Sequence, residues 1–288
     1  MSAAPFDNLR GGGWLIADMA LNIWALSIVK ALGLGYGASQ IVFLRALTGL
    51  VLIAPLIWRH RARFRAVPQM RLHLLRVGLS AVALNASFFA IARIPLALFT
   101  AIGFTRPLVT MLLAAALLGE VIGRRRWVAA GIAFAGVLIA ANPQTVPWSW
   151  GLAAQALVVV AGSGAIIATR ALRGTPEIVL MAIYTVGLAV ISAPLAWWGW
   201  APVAPAHLPW LVMVGLFAQT AQFCFLRAHF LGQAGFLSVL GYLSLILSVG
   251  VGYLVFDEIP TATFALGAAL VTGAALWATL DLRQRRRA

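Results

Sequence analysis

The sequence predicts an all-α integral membrane protein with ten transmembrane helices, arranged as two inverted five-helix repeats around a central cavity. Three observations support this prediction: an apolar composition, ten separate apolar stretches, and an internal repeat with asymmetric loop charge. Of the 288 residues, 62% are hydrophobic and 10% are charged, whereas average soluble proteins are roughly 25% charged. A soluble fold cannot bury so much apolar surface, so we expect the lipid bilayer to surround the chain.

Turn residues, prolines and charges divide the chain into ten apolar stretches. We expect each one to be helical, because a segment in a membrane must satisfy its own backbone hydrogen bonds. Several are shorter than the roughly 20 residues that cross a bilayer, so short helices or re-entrant backbone are also expected. The stretches span residues 14–32, 38–57, 74–92, 96–118, 127–142, 151–169, 177–197, 210–227, 232–255 and 262–280.

The loop charges indicate an orientation. With the N-terminus inside, the outer loops carry Lys30 and Arg93 as their only Lys and Arg residues, and nearly all the arginines fall in inner loops. This asymmetry obeys the positive-inside rule for ten crossings with both termini in the cytoplasm. We therefore expect a multi-pass protein of the bacterial inner membrane. The formal net charge of +14 is explained by orientation in a membrane, and no nucleic-acid partner is expected.

The two halves of the chain resemble each other. SQIVFLRALTGLVLIAPL (39–56) is similar to PEIVLMAIYTVGLAVISAPL (176–195), and LLGEVIGRRRWVAAGIAFAGVL (117–138) is similar to LVFDEIPTATFALGAALVTGAAL (254–276). Five helices are an odd number, so the second repeat must enter the membrane from the opposite side. The predicted repeats are residues 1–145 and 146–288. Inverted repeats are typical of alternating-access transporters. The alternative is a chance similarity between two segments rich in small and apolar residues.

These repeats resemble the drug/metabolite transporter superfamily. Each half places an acidic residue after its fourth helix, Glu120 in the first and Asp257–Glu258 in the second, followed by a glycine-rich fifth helix. The resemblance is to the EamA-type branch, and within it to YddG-type amino-acid exporters. It implies a ten-helix bundle with a central cavity, and efflux of aromatic and other neutral amino acids. It also implies a structural or gating role for Glu120 and Glu258.

One charge lies in the middle of an apolar stretch. Arg106 is the only charged residue of the run from 94 to 119, and Pro107 follows it. Proline has no N–H, so the carbonyl of Gly103 loses its helical partner. We therefore predict a kink, with Gly103 and Pro107 as hinge residues. An arginine at this depth suits an anionic group such as a carboxylate; a structural arginine bound to neighbouring carbonyls is an equal alternative.

Further candidates for substrate binding come from aligning the repeats. Gly103 aligns with Gly241, which brings Phe104 opposite Tyr242 and Arg106 opposite Ser244. Two aromatic rings at equivalent places could form the walls of one apolar pocket, and ordinary packing is the alternative. Polar residues inside other apolar stretches line a cavity or join helices. These candidates are Asn22 and Trp24 in the first stretch, Asn85 in the third, Ser163 in the sixth, and Gln219 and Gln222 in the eighth.

The sequence therefore favours a secondary transporter of small neutral metabolites, and leaves the exact metabolite and the coupling ion open. Asp18 is the only candidate proton carrier at membrane depth, so exchange down a substrate gradient is an alternative to proton coupling. A membrane enzyme acting on lipid-linked substrates would need acids, histidines or a metal cluster at membrane depth. A scaffold or lipid-flipping protein would have a dry helix interface in place of a cavity. We expect no cofactor and no metal, a small-molecule partner, and a chain that can act as a monomer.

Overall fold

The computed structural model describes residues 7–64, 67–118, 124–141, 148–172, 174–231, 240–241, 243–259 and 261–284. These residues form α-helices and two short 3-10 turns, Arg61–Phe64 and Pro205–His207, and they contain no β-strand. The helices are α1 (Asn8–Leu32), α2 (Ala38–Arg59), α3 (Met70–Ile91), α4 (Leu96–Gly103), α5 (Arg106–Leu118), α6 (Arg124–Ala141), α7 (Trp150–Ala171), α8 (Glu177–Trp198), α9 (Leu208–Leu231), α10 (Leu243–Phe256) and α11 (Ala262–Gln284).

The helices are long and apolar enough for a multi-pass membrane protein. Seven segments of the described chain have the length and composition to cross a bilayer, and α4 and α5 together supply one of them, Leu98–Leu117. Three shorter apolar segments follow the same pattern: Trp127–Ala140, Leu247–Phe256 and Ala262–Ala274. The predicted stretch 232–255 is described as a helix only from Leu243 onward, because residues 232–239 lie outside the described part.

Local signals set several helix boundaries. Gly33 adopts a positive φ of 61° directly after α1, and its N–H donates to the carbonyl of Lys30 at 3.0 Å. A glycine can take this left-handed conformation without a Cβ clash, which ends the helix. Pro95 and Pro176 are the N-cap residues of α4 and α8. Proline has no N–H and a fixed φ, so it suits the start of a helix and not its interior.

Helices of the first half pack against helices of the second half. The most extensive contacts join α1 with α9, α3 with α7, α2 with α8, and α6 with α11, and α4 packs against α10. If α1, α2, α3, α4 and α6 are swapped with α7, α8, α9, α10 and α11, in that order, the same helix pairs result. The core is therefore shared between the two halves and is not divided into two separate bundles.

The two ends of the bundle differ in charge and in packing. One end, which we call the Glu258 end, holds Lys30, Arg93 and Glu258. The other, which we call the arginine end, holds the helix termini and turns that carry Arg10, Arg59, Arg61, Arg63, Arg71, Arg124 and Arg227. The largest apolar cluster spans α1, α2, α3, α4, α8 and α9 in the half nearer the Glu258 end, with Val29, Val42 and Leu96 among its members. Toward the arginine end, the described core residues form smaller separate clusters.

Polar contacts add to the closure of the Glu258 end. The side chain of Gln40 exchanges two hydrogen bonds with Ala201, donating from Nε2 at 2.7 Å and accepting at Oε1 at 3.0 Å. The Tyr36 hydroxyl lies 2.8 Å from His207 Nδ1 and accepts from the Ala204 N–H at 3.2 Å. These bonds join the start of α2 to the segment between α8 and α9. The Glu258 end is thus tied together by polar contacts above an apolar core.

Candidate functional site

The helix that carries the central arginine is interrupted. α4 ends at Gly103 and α5 begins at Arg106, with Phe104 and Thr105 in a turn between them. The Thr105 hydroxyl donates to the carbonyl of Ile102 at 2.7 Å, which satisfies one acceptor at the break. Arg106 lies ten residues after Leu96, or about 15 Å along the helix. That distance is about half of a ~30 Å hydrocarbon core, so Arg106 lies near mid-depth.

Arg106 lies against α7. A Cβ on Gly162 would be 3.4 Å from both Cζ and Nε of Arg106 and 3.6 Å from Nη2. The guanidinium therefore rests on bare backbone, where a larger residue would push it away. The hydroxyl of the fully buried Ser163 donates to the Arg106 carbonyl at 3.3 Å. The predicted candidates Arg106 and Ser163 are thus in direct contact.

Three polar atoms on α5 and α7 are buried and have no partner among the described residues. Within the described part of the chain, Arg106 Nε, Thr110 Oγ1 and Gln155 Oε1 have no hydrogen-bond partner. Thr110 follows Arg106 by one turn on α5. Gln155 lies on α7, is fully buried, and donates from Nε2 to the carbonyl of Phe99 at 2.6 Å. Because more than nine in ten buried polar groups have a partner, three such atoms on the adjoining helices α5 and α7 require an explanation.

No carboxylate neutralises the central arginine among the described residues. Their ion pairs are Arg10–Asp7, Lys30–Glu258 and Arg227–Glu177, and none involves Arg106. A cation at this depth without an acid is expensive, and such residues face a cavity or a ligand. We call Arg106, Thr110, Gln155, Gly162 and Ser163 the Arg106 site. The guanidinium of this site can only donate hydrogen bonds, whereas Gln155 Oε1 can only accept them.

A second polar group lies between α3, α8 and α9. Asn85 Nδ2 donates to the Ala81 carbonyl at 2.8 Å and to Ser192 Oγ at 3.4 Å. The Thr185 hydroxyl donates to Gln219 Oε1 at 3.3 Å. Asn85 Oδ1 and Gln219 Nε2 are buried without a partner in the described chain. Each of these predicted amides therefore joins helices with one end and keeps the other end unpaired.

Gln219 is held close to α2. A Cβ on Gly49 would approach its Oε1 to 2.6 Å, so the glycine makes room for the amide. Gln219 also lines a cavity of about 710 Å³ between α2, α8 and α9. This cavity extends toward the arginine end, where His60, Arg63 and Arg227 lie on its wall. A cavity lined mostly by apolar side chains therefore runs from the arginine end to the level of Gln219.

The remaining candidates are scattered. Asn22 is exposed and donates to the carboxylate of Asp18 at 2.7 Å, and Trp24 is 49% exposed. Gln222 is half-buried, and Ser244 donates to the Gly241 carbonyl at 2.6 Å.

Of the two aromatic residues predicted to form the pocket walls, the structure describes only Phe104. Phe104 packs in a cluster with Ala101, Phe264 and Val249, on the side of α10 and α11. Tyr242 lies outside the described residues, as does Glu120. The pairing of Phe104 with Tyr242 across one pocket therefore stays a prediction.

Two residues of the Arg106 site were missed by sequence reasoning. Gln155 is an amide in the apolar run AAQALVVV, and the rule that selected Asn85 and Gln222 applies to it equally. Thr110 follows Arg106 by four residues, which places the two side chains on one helix face. A search for every polar residue at mid-helix would have found both.

Comparisons with known proteins bear on this membrane bundle. Residues 12–142, which include the central arginine and the helix break, match one family model. That family is the EamA-like transporter family.

Three curated relatives are similar to this chain over most of its length. A "S-adenosylmethionine uptake transporter" of Rickettsia felis is 23% identical over 96% of this chain and 95% of the relative. A "Riboflavin transporter" of Rhizobium johnstonii is 29% identical over 75% of this chain and 72% of the relative. "Pseudopaline exporter CntI" of Pseudomonas aeruginosa is 28% identical over 93% of this chain and 96% of the relative. Each of these three relatives is a transporter or exporter by name.

The fold itself has a solved counterpart. A protein of known crystal structure superposes with a TM-score of 0.71, covering 96% of this chain and 99% of its own, at 20% identity. At that identity the similarity establishes a shared fold. The family match covers residues 12–142 of the 288.

Proposed function

We propose that this EamA-like chain is a secondary transporter that moves carboxylate-bearing small metabolites across the bacterial inner membrane by alternating access. Aromatic and other neutral amino acids are the first candidate substrates, and export is the proposed direction. Ten membrane crossings form two inverted repeats, residues 1–145 and 146–288, with both termini in the cytoplasm. No ATP-binding motif is present in the sequence, so a gradient of the substrate or of a coupled ion drives the transport.

The observation that carries this proposal is the unpaired central arginine. Arg106 lies near mid-depth, rests on Gly162, and has a buried Nε with no partner in the described structure. A carboxylate would supply the missing acceptor, since Arg–carboxylate pairs are short and charge-assisted. Transporters of inverted-repeat design bind substrates near the bilayer midplane, at helices that are interrupted. The break between α4 and α5 provides such a place.

The packing of the helices supports two inverted repeats. Swapping the two halves turns the α1–α9 pair into the α3–α7 pair. The pairs α2–α8 and α6–α11 each join one helix to its counterpart in the other half. A two-fold axis in the membrane plane would produce this pattern. The arginines at one end support a cytoplasmic location for that end, by the positive-inside rule. The large apolar cluster at the Glu258 end then closes the site to the outside.

The substrate class rests on chemistry and on the relatives. S-adenosylmethionine, named for the Rickettsia felis relative, is itself an amino-acid derivative with a carboxylate. The relatives include both an uptake transporter and an exporter by name. Export is proposed here because the chain resembles amino-acid exporters.

The test is efflux of labelled phenylalanine from preloaded proteoliposomes. Wild-type protein should release the label faster than empty liposomes, and Arg106→Met should abolish that difference. Arg93→Met is the matched control, because Arg93 has the same charge but stacks on Phe89, 3.5 Å from its ring centre, at the Glu258 end. If wild type matches empty liposomes, amino acids are the wrong substrate class. If Arg106→Met transports like wild type, the carboxylate role of Arg106 is wrong.

A further inference from the structure

We propose that the cavity between α2, α8 and α9 binds one anionic phospholipid, with an acyl chain along its apolar walls and the phosphate against Arg63 and Arg227. We call this cavity of about 710 Å³ the α2–α9 groove. It is separate from the Arg106 site. The inference goes beyond the proposed function, since it holds for any transported substrate.

The closed end of the groove is a tight contact between α2 and α9. A Cβ on Gly49 would lie 2.6 Å from Gln219 Oε1, and a Cβ on Gly215 would lie 2.5 Å from the Cβ of Thr48. The two helices therefore meet closely through these glycines. From Gln219 toward the arginine end, the cavity occupies the space between them. Thus α2 and α9 stand apart in the half of the bundle nearer the arginine end.

The groove opens sideways, toward the lipid. Leu216, Thr220 and Arg227 line it and are exposed. Their spacings of four and seven residues place them on one face of α9. Leu211 and Val214 lie on the other side of α9, in the large apolar cluster. The groove is therefore continuous with the outer surface of the bundle, which the bilayer covers, and not with the apolar core.

The walls of the groove fit an acyl chain. Leu52 and Leu56 of α2 line it and are 40% and 46% exposed, and the buried Met181 of α8 lines it as well. Apolar surface of this kind favours an apolar ligand over water. Leu216 and Arg227 are eleven residues apart, about 16 Å along α9, which matches half of a ~30 Å hydrocarbon core. The groove therefore has the length of one leaflet, with its basic end at the headgroups.

The open end of the groove is positively charged. Arg63 is exposed and has no ion pair within the described part of the chain. Arg227 Nε lies 3.6 Å from Glu177 Oε2, and the Arg227 side chain is 46% exposed. Two guanidinium groups thus stand against one carboxylate, and His60 adds a third basic side chain to the wall. Guanidinium groups bind phosphate through paired hydrogen bonds, and basic pockets between membrane helices bind acidic headgroups.

An anionic phospholipid matches both parts of the groove. A soluble phosphate would meet the arginines but leave the leucines without an apolar partner. A zwitterionic lipid would cover the leucines, but its own ammonium group offsets the charge of its phosphate, so the guanidinium groups attract it less. Phosphatidylglycerol has a net negative charge and acyl chains, so it satisfies the basic end and the apolar walls together.

The test is native mass spectrometry of the purified full-length protein in detergent. The protein is titrated with phosphatidylglycerol, with phosphatidylcholine of the same acyl chains, or with glycerol 3-phosphate, which has the phosphate but no chains. The first bound ligand yields a Kd in each titration. Wild type should bind phosphatidylglycerol at least roughly tenfold more tightly than phosphatidylcholine. It should retain no glycerol 3-phosphate at the same concentrations.

Three variants locate the lipid. Arg63→Gln combined with Arg227→Gln should reduce the ratio of the two lipid affinities to roughly two or less. Arg59→Gln combined with Arg61→Gln is the matched control, because these arginines are exposed at the same end but do not line the groove. It should leave the ratio at the wild-type value. Thr220→Trp fills part of the groove without changing its charge, and should weaken phosphatidylglycerol binding roughly tenfold.

Equal wild-type affinities for the two lipids would overturn the inference. Equal losses in the two double variants would do the same, since the charge of the whole end would then be responsible. If Thr220→Trp binds phosphatidylglycerol like wild type, the lipid lies outside the groove, and tight binding of glycerol 3-phosphate would identify a soluble phosphate as the ligand. The melting temperature of each variant, compared with that of wild type, shows whether it is folded. None of these outcomes depends on phenylalanine efflux, so a failure of this inference is distinguishable from a failure of the proposed function.

Discussion

Glu258 Oε1 lies 2.8 Å from Lys30 Nζ, and the same carboxylate accepts from the N–H of Leu96 through both oxygens, at 3.2 and 3.1 Å. Lys30 also donates to the carbonyl of Ile94 at 3.1 Å. One carboxylate thus joins the end of α1, the first turn of α4 and the segment after α10. We call Lys30, Leu96 and Glu258 the Glu258 cluster. It lies over the apolar core, so opening this end requires the cluster to separate.

Removing the Glu258 charge should open that end more often. Glu258→Gln weakens a partly buried ion pair and a charge-assisted hydrogen bond, worth about 1.5 kcal/mol together, which is roughly a tenfold change in population. The measurement is thiol labelling of Val29→Cys, a buried position of the core below the cluster, in a Cys224→Ser background. The labelling rate with an impermeant maleimide should rise roughly tenfold.

Asp7→Asn provides the control for this experiment. Asp7 also pairs with a cation on α1, Arg10 at 3.3 Å, but both side chains are exposed at the arginine end. Exposed pairs contribute little, so labelling of Val29→Cys should stay at the wild-type rate. Equal rates for Glu258→Gln and Asp7→Asn would show that the Glu258 cluster does not control access.

Two arginines inside the bundle should differ in their effect on stability. Arg76 Nε donates to Thr169 Oγ1 at 2.8 Å, Nη1 donates to the Leu180 carbonyl at 3.1 Å, and the guanidinium stacks on Tyr184. Arg76→Met removes these contacts and should lower the melting temperature by roughly 5 °C or more. Arg106→Met removes a charge that has no ion-pair partner among the described residues, so it should abolish transport with little loss of stability.

Thermal unfolding of the purified variants in detergent tests this contrast, with Arg93→Met as the surface reference. A fall in melting temperature for Arg106→Met as large as that for Arg76→Met would mean that Arg106 is structural. The alternative interpretation of the sequence, a structural arginine bound to neighbouring carbonyls, would then be correct.

The contact between α6 and α11 should depend on two glycines. A Cβ on Gly136 would lie 2.8 Å from the Gly267 carbonyl, and a Cβ on Gly267 would overlap the Gly136 carbonyl. Small residues allow such close approach of membrane helices. Gly267→Ala should therefore separate the helices and destabilise the fold by about 1–3 kcal/mol.

Matched glycines on the same two helices provide the control. Among the described residues, a Cβ added to Gly131 or Gly273 would meet no atom within 4 Å. Alanine there should be neutral or stabilising, since alanine favours helix by up to about 1 kcal/mol. The measurement is the melting temperature of each glycine-to-alanine variant in detergent, compared with that of the wild type. A Gly267→Ala variant as stable as Gly273→Ala would contradict the close packing of α6 and α11.

The helices and the break in one of them were predictable from local chemistry. Apolar runs in a membrane must form helices because their backbone groups have no other partner, and Pro107 interrupts a helix because it lacks an N–H. The structure accordingly separates α4 from α5 beside Arg106. Asn85, Gln219 and Ser163 were selected by another local rule, that a polar residue inside an apolar stretch lines a cavity or joins helices. Gln155 carried an equal signal and was overlooked.

Which residues meet across the bundle could not be read from the chain. Arg106 lies on Gly162, Gln155 bonds to Phe99, and Glu258 bonds to Lys30. Composition, loop charge and helix boundaries depend on each residue and its near neighbours. They could therefore be predicted from the order of residues along the chain. Whether Arg106 meets an ion-pair partner, and how one end closes, depend on helix packing between the two halves. That packing depends on side-chain shape across segments that are distant in sequence.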